Sequence, residues 1–197
     1  MKYLALCSLL FLGLFVNAQS QHYQNLLDTA TARKGALFAA AYPIKKVDLE
    51  LSEMKWYVGN YGWFNNKKLD TVMFAQIIRN TANADTTPWQ EQELNKLLLV
   101  KNGTEKISKE HAIQKFGLTD QQQISKMENT VNNFNALNGY YRNVYYFARP
   151  VFDDNKQFAV VQWDNGHAGK AGGGGVILFE LKGDKWIEAG TILHWVH

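Results

Sequence analysis

Phe158-Ala159-Val160-Val161-Gln162-Trp163 and Val176-Ile177-Leu178-Phe179-Glu180-Leu181 are the two stretches that decide the fold. Both are short, rich in β-branched and aromatic residues, and bounded by turn formers. Asp153-Asp154-Asn155 precedes the first, a glycine run separates the two, and Lys182-Gly183-Asp184 follows the second. Such runs read as strands, here over 157–163 and 176–181. Residues 141–148 and 185–196 extend the series to four, and the short first and third links predict sequential antiparallel pairing. Residues 140–197 are therefore expected to form an antiparallel β-meander.

Upstream the apolar spacing changes to three and four. Leu26, Leu27, Ala30, Leu37, Phe38 and Ala41 predict a helix over 24–41 that stops before Pro43, with Gly35 as its weak point. Leu69, Met73, Phe74, Ile77 and Ile78 form one apolar stripe on a second helix. Thr87-Pro88-Trp89-Gln90 has the pattern of a helix start, with Thr87 as cap, Pro88 at the first helical position and Gln90 reaching back. That helix is expected to run through Leu94, Leu97 and Leu98 to Asn102-Gly103. Ser108 should open a short helix to Phe116. Thr119 with Gln122 should open another, carrying Ile124, Met127, Val131 and Phe134 on one side and ending at Asn138-Gly139. Val47, Leu49 and Leu51 alternate with Asp48, Glu50 and Ser52, which predicts one earlier strand, added at a sheet edge. The expected class is α+β, a single domain over 19–197. Residues 22–139 are mainly helical and cover one face of a C-terminal antiparallel sheet of four to five strands.

A chain of 197 residues that is 46% hydrophobic and 20% charged has enough apolar surface to fold, which excludes disorder. Its 21 basic against 18 acidic residues leave no strongly basic surface, which disfavours nucleic acid as a partner. Met1-Lys2 stands before the apolar run 3–16, and Val16-Asn17-Ala18 offers a cleavage site, so residues 1–18 read as a secretory signal peptide. As a helix the apolar run reaches about 21 Å, short of a hydrocarbon core of about 30 Å. The expected location is outside the cytoplasm, in the periplasm or beyond the cell, with no stable membrane anchor after cleavage. The one cysteine, Cys7, falls inside the signal, so the mature chain is expected to lack disulfides, thiolate chemistry and cysteine metal sites.

The glycine-rich segment from Asp164 to Gly175 lacks the ending of a phosphate loop, and a strand follows it where a dinucleotide fingerprint needs a helix. It reads as a mobile or bulged hairpin loop. Within it, His167 and Asp164 are the candidates for proton transfer, because an unperturbed imidazole titrates near neutral pH. Asp153 and Glu180 are alternative carboxylates, although Asp153-Asp154-Asn155 reads first as a turn and Glu180 as a solvated position near a strand end. His194 and His197 flank Trp195-Val196 and should point to opposite faces, poor geometry for a metal, so no metal centre and no cofactor are expected. Trp56, Tyr57, Tyr61, Trp63 and Phe64, set among glycines, supply the expected contact surface together with His167 and Lys170. The motifs of zinc proteases and serine hydrolases are missing from the sequence. The first functional expectation is a non-enzymatic binding or inhibitory protein of the envelope or exterior, whose partner is an envelope or extracellular protein or a small ligand. The second is a small hydrolase-like enzyme using His167 with a nearby carboxylate.

Ala148-Arg149-Pro150-Val151-Phe152, the strand from Phe158 to Trp163, Gly169, Gly172 to Gly175, Lys185-Trp186 and Trp195 form a further pattern over 145–197. It resembles the C-terminal part of poorly characterised exported bacterial proteins, many of them lipoproteins. In those relatives the glycine loop often carries two Cys-Gly pairs, and here Ala168-Gly169 and Ala171-Gly172 occupy those places. The resemblance implies export and a β-rich C-terminal unit. It brings no activity and no catalytic residue.

Overall fold

The computed structural model describes residues 23–32, 37–45, 47, 71–102, 104–137, 142–165 and 172–196. Residues 23–32 are helical (α1), followed by β1 (Phe38–Ala40), α2 (Thr71–Thr81), β2 (Leu98–Val100), α3 (Lys109–Lys115) and α4 (Gln121–Ala136). The C-terminal part contributes β3 (Tyr146–Phe147), β4 (Val151–Phe152), β5 (Phe158–Asn165), β6 (Gly173–Lys182) and β7 (Lys185–Val196). The class is α+β, with a five-stranded antiparallel sheet in the order β3-β5-β6-β7 and β4 beside β3 on the same edge of β5. The meander expected over 140–197 is thus present. The candidate signal peptide and the positions 48–51 of the expected early strand lie outside the described residues.

Residues 145–152 run along β5 as one broken strand. Phe147 pairs with Trp163 and Val151 with Val160, and between them the Ala148 amide still donates to the Gln162 carbonyl at 2.8 Å. The break falls at Arg149-Pro150, where proline has no N–H to give to the ladder. Asp153-Asp154-Asn155 is the turn the sequence indicates. The Lys156 amide donates to the Asp153 carbonyl at 3.1 Å, and Lys156 follows in the left-handed region at φ 54°.

The expectation that helices cover one sheet face is corrected to both. On one face α1 and the 89–97 segment place Leu26, Leu27, Trp89, Leu94 and Leu97 against Phe147, Val161, Ile177 and Phe179. On the other, α2 sets Met73, Phe74 and Ile77 against Val151, Val160, Val176 and Leu178, where Val47 is also buried. Two-sided cover explains why Ala159-Val160-Val161 and Val176-Ile177-Leu178-Phe179 show no polar alternation. Full burial of each large apolar side chain is worth about 1.5–3 kcal/mol.

Three local readings differ from the structure. The helix expected over 24–41 is replaced by two elements, because Phe38–Ala40 is a strand paired in parallel with Leu98–Val100. There the Ala40 amide donates to the Tyr145 carbonyl at 2.8 Å and Phe38 stacks on Phe134 of α4 at 3.8 Å, contacts a continued helix would forgo. β1 and β2 form a separate two-stranded sheet, which touches the larger one through the bridge between Ala39 and Tyr145. The helix expected from Thr87 is likewise absent. The Thr87 amide and hydroxyl both donate to Asp85, the Trp89 amide donates to the Ala41 carbonyl, and only turns form, at 91–93 and 95–96. Finally, Gly173–Gly175 belong to β6 and not to a loop, paired opposite Asn165, Asp164 and Trp163. The indole of Trp195 covers Gly174, where a Cβ would lie 2.4 Å from its ring. Glycine is required there to admit the aromatic across the strands.

The remaining helices follow the sequence closely. Ser108 caps α3 by accepting from the His111 amide, and α4 starts one residue after its cap Asp120, which takes that role in place of Thr119. Met127, Val131 and Phe134 of α4 pack with Ala112 of α3 over β1 and β2.

Candidate functional site

The β4–β5 and β6–β7 turns lie side by side at one end of the sheet, joined by the Leu181 amide donating to the Gln157 carbonyl at 2.8 Å. Next to them Tyr23 comes down from α1. The result is a cleft of about 380 Å³ lined by Tyr23, Phe152, Asn155, Lys156, Gln157, Leu181 and Trp186. Its volume falls at the lower end of the range for small-molecule sites, about 300–1,000 Å³.

Three rings form its apolar wall. Tyr23 and Phe152 are 6.3 Å apart and tilted by 40°, and Phe152 and Trp186 are 5.8 Å apart and tilted by 56°. Both separations lie in the favourable range for tilted aromatic pairs, about 4.5–7 Å. Trp186 is only 5% exposed, and its Nε1 has no hydrogen-bond partner among the described residues. Lys156 supplies the one formal charge among the lining residues. Its left-handed backbone disfavours any side chain with a Cβ. Lys156→Gly is expected to stabilise the fold by about 0.5–1 kcal/mol in a denaturant titration. A loss of stability would mean that the lysine side chain makes contacts that outweigh its backbone cost.

Arg149 holds the rear of the cleft. Its Nη1 donates to the Tyr23 hydroxyl at 3.2 Å and to Glu93 Oε1 at 2.6 Å, while Nη2 donates to Glu93 Oε2 and the Pro88 carbonyl, each at 3.0 Å. Nε donates to the Thr87 carbonyl at 2.9 Å, and the guanidinium lies 4.4 Å over the Trp89 ring. Burial pushes the Tyr23 phenol up to about 12, with the Arg149 charge acting in the opposite direction. Tyr23 is thus a neutral hydroxyl across the physiological range. Because its folded value is raised, its contribution to stability is complete below the ordinary phenol value near 10 and is lost as pH rises towards 12. Absorbance at 295 nm should show one tyrosine titrating about two units late, and Tyr23→Phe should remove that phase.

The carboxylates indicated by the sequence do not form one site. Asp153 is buried in its turn, its Oδ1 accepting from the amides of Gln157 and Phe158 at 2.8 Å each. Asp154 Oδ1 and Oδ2 accept from Arg79, which with Asn80 holds the carboxyl below its usual range and ties the turn to α2. Glu180 is partly buried and pairs with Lys182 at 3.4 Å. Asp164 sits at the other end of β5, about 20 Å away by strand rise, where its Oδ2 accepts from Trp195 Nε1 at 3.1 Å. His194 is exposed opposite Gly175. The remaining nominated residues, Trp56, Tyr57, Tyr61, Trp63, Phe64, His167, Lys170 and His197, lie outside the described residues.

Other recesses have a different character. One, about 820 Å³, opens on the polar outer side of α4 and has no aromatic wall. Another places His111 Nε2 at 3.4 Å from Glu91, whose carboxylate also accepts from Lys115, so its charges are engaged in tying α3 to the 91–93 turn. Among the described residues no cluster of His, Cys, Asp and Glu suits a metal ion, and no helix is long and apolar enough to cross a membrane. No protein-family model, curated protein or solved structure matches the chain.

Proposed function

We propose that this is a non-enzymatic binding protein of the cell envelope or exterior that takes a small, largely apolar ligand in the cleft of Tyr23, Phe152 and Trp186. The observation that carries the reading is the recess walled by the rings of Tyr23, Phe152 and Trp186 beside the paired turns. Aromatic walls supply non-directional affinity, and the polar groups of the 155–157 turn supply orientation. The engagement of Asp153, Asp164 and Glu180 in turns, strand contacts and an ion pair favours binding over hydrolysis. Export rests on the apolar start of the chain and on the resemblance of its C-terminal part.

The test is a fragment screen followed by nitrogen-15 correlation spectra of the purified chain. Bound fragments are expected to move the Trp186 indole resonance, and Phe152→Ala should weaken them by about tenfold, the effect of removing one aromatic wall. Fragments that shift only residues remote from the cleft, or none at all, overturn the proposal.

A further inference from the structure

We infer that the ligand is a monoanion, a carboxylate on a flat aromatic body, with its charge met by Lys156 and its apolar ring laid against Phe152 and Trp186. The inference rests on the cleft being a binding site and adds the chemistry of what fills it.

Charge is the first argument. Of the seven lining residues Lys156 alone carries a formal charge, and burial keeps Tyr23 protonated. Asp153 is held by the amides of Gln157 and Phe158, Asp184 stands in the β6–β7 turn, and three further acidic side chains are in ion pairs. Asp154 is paired with Arg79, Glu180 with Lys182 and Glu93 with Arg149. On the far side of Trp186, Lys185 lines the adjoining recess with Asn25, Asp28, Thr29 and Lys96, where Lys96 and Asp28 pair at 3.8 Å. Lys156 is thus the charge that borders the cleft directly, and it favours an anion while opposing a cation.

Shape is the second. The tilted rings of Tyr23, Phe152 and Trp186 make one wall of the cleft, and Asn155, Lys156 and Gln157 line it from the turn. A ligand with its polar head at one end and its flat body at the other matches that division. A zwitterion or a polyol would leave polar atoms against Phe152 and Leu181 without partners.

Three probes of one shape test the inference on the purified chain: 2-naphthoate, neutral 2-naphthamide and 2-naphthylmethylammonium. Calorimetry gives the affinity, and the Trp186 indole resonance, assigned with Trp186→Phe, reports the place. Naphthoate should bind about tenfold more tightly than the amide, with the ammonium weakest, as a charge-assisted contact would give. Lys156→Gln should bring naphthoate level with the amide while leaving the amide unchanged, and Lys156→Arg should keep most of the preference. Added salt should weaken naphthoate alone. If the amide equals naphthoate, or Lys156→Gln leaves the preference intact, the inference fails while a shifted Trp186 resonance keeps the binding site. If none of the probes moves Trp186, the inference and the proposed function fail together.

Discussion

Replacing Arg149 with methionine is expected to lower the unfolding free energy by about 3–5 kcal/mol, the usual cost of breaking a buried ion pair by removing one partner. The side chain is 7% exposed, and it satisfies the Glu93 carboxylate, the Thr87 and Pro88 carbonyls and the Tyr23 hydroxyl at once. Methionine keeps much of the volume but none of the donors, so the half-buried Glu93 carboxylate and the Tyr23 hydroxyl lose their partner, while water can reach the carbonyls of the exposed Thr87 and Pro88. Arg149→Lys retains the charge without the planar fork that grips both Glu93 oxygens, and about half of the loss should remain. The double variant Arg149→Met with Glu93→Met should recover part of the stability, because the stranded carboxylate is gone. Urea unfolding of the three variants measures this. A cost below about 1 kcal/mol for Arg149→Met would show that the 85–93 segment is held by its apolar contacts alone.

Gly175→Ala is expected to cost about 2–4 kcal/mol, as overpacking does when the obstructing atoms cannot swing aside. A Cβ at this position would lie 2.5 Å from the Leu193 carbonyl oxygen and 3.2 Å from Trp163 Nε1, and the first of these is backbone. Relief requires β7 to move away from β6. Gly117→Ala is the control. Its Cβ would meet nothing within 4 Å, so only its φ of 59° opposes alanine, at about 1–2 kcal/mol. Thermal unfolding compared across the two separates steric exclusion from backbone conformation. Equal costs would mean that β7 yields easily at Leu193.

Legibility in the sequence followed the range of the forces involved. The stripe of Met73, Phe74 and Ile77, the Ser108 cap and the Lys182-Gly183-Asp184 turn are local, and each appears where the spacing places it. The 87–98 segment failed because its cap residues are real but their bonding is claimed elsewhere: Thr87 by Asp85, and the Thr87 and Pro88 carbonyls by Arg149 62 and 61 residues away. Leu37 to Ala41 carries no local mark of a strand, since its partners are Leu98–Val100 and Tyr145. Two-sided burial was visible in the unbroken run from Val176 to Phe179, a signal that points to cover on both faces. The cleft was not legible. Tyr23, Phe152 and Trp186 come from three elements, and only the paired turns bring them together.

The joining of β1 to β2 in parallel and of β5, β6 and β7 in successive hairpins has a consequence for how the chain opens and closes. Hairpins link neighbours in sequence, so they close at small entropic cost, whereas Phe38 must find Leu98 across some sixty residues. The meander is therefore the early-forming and late-opening unit. Amide protons of 159–161 and 176–179 should exchange with solvent only through global unfolding, and those of β1 and β2 through a smaller excursion that frees the N-terminal layer. Tyr23 rides on that layer, and Arg149 holds it from the edge of the sheet. Occupancy of the cleft then bears directly on how often the layer lifts, and a bound ligand would slow exchange in β1 and β2 while leaving the meander unchanged.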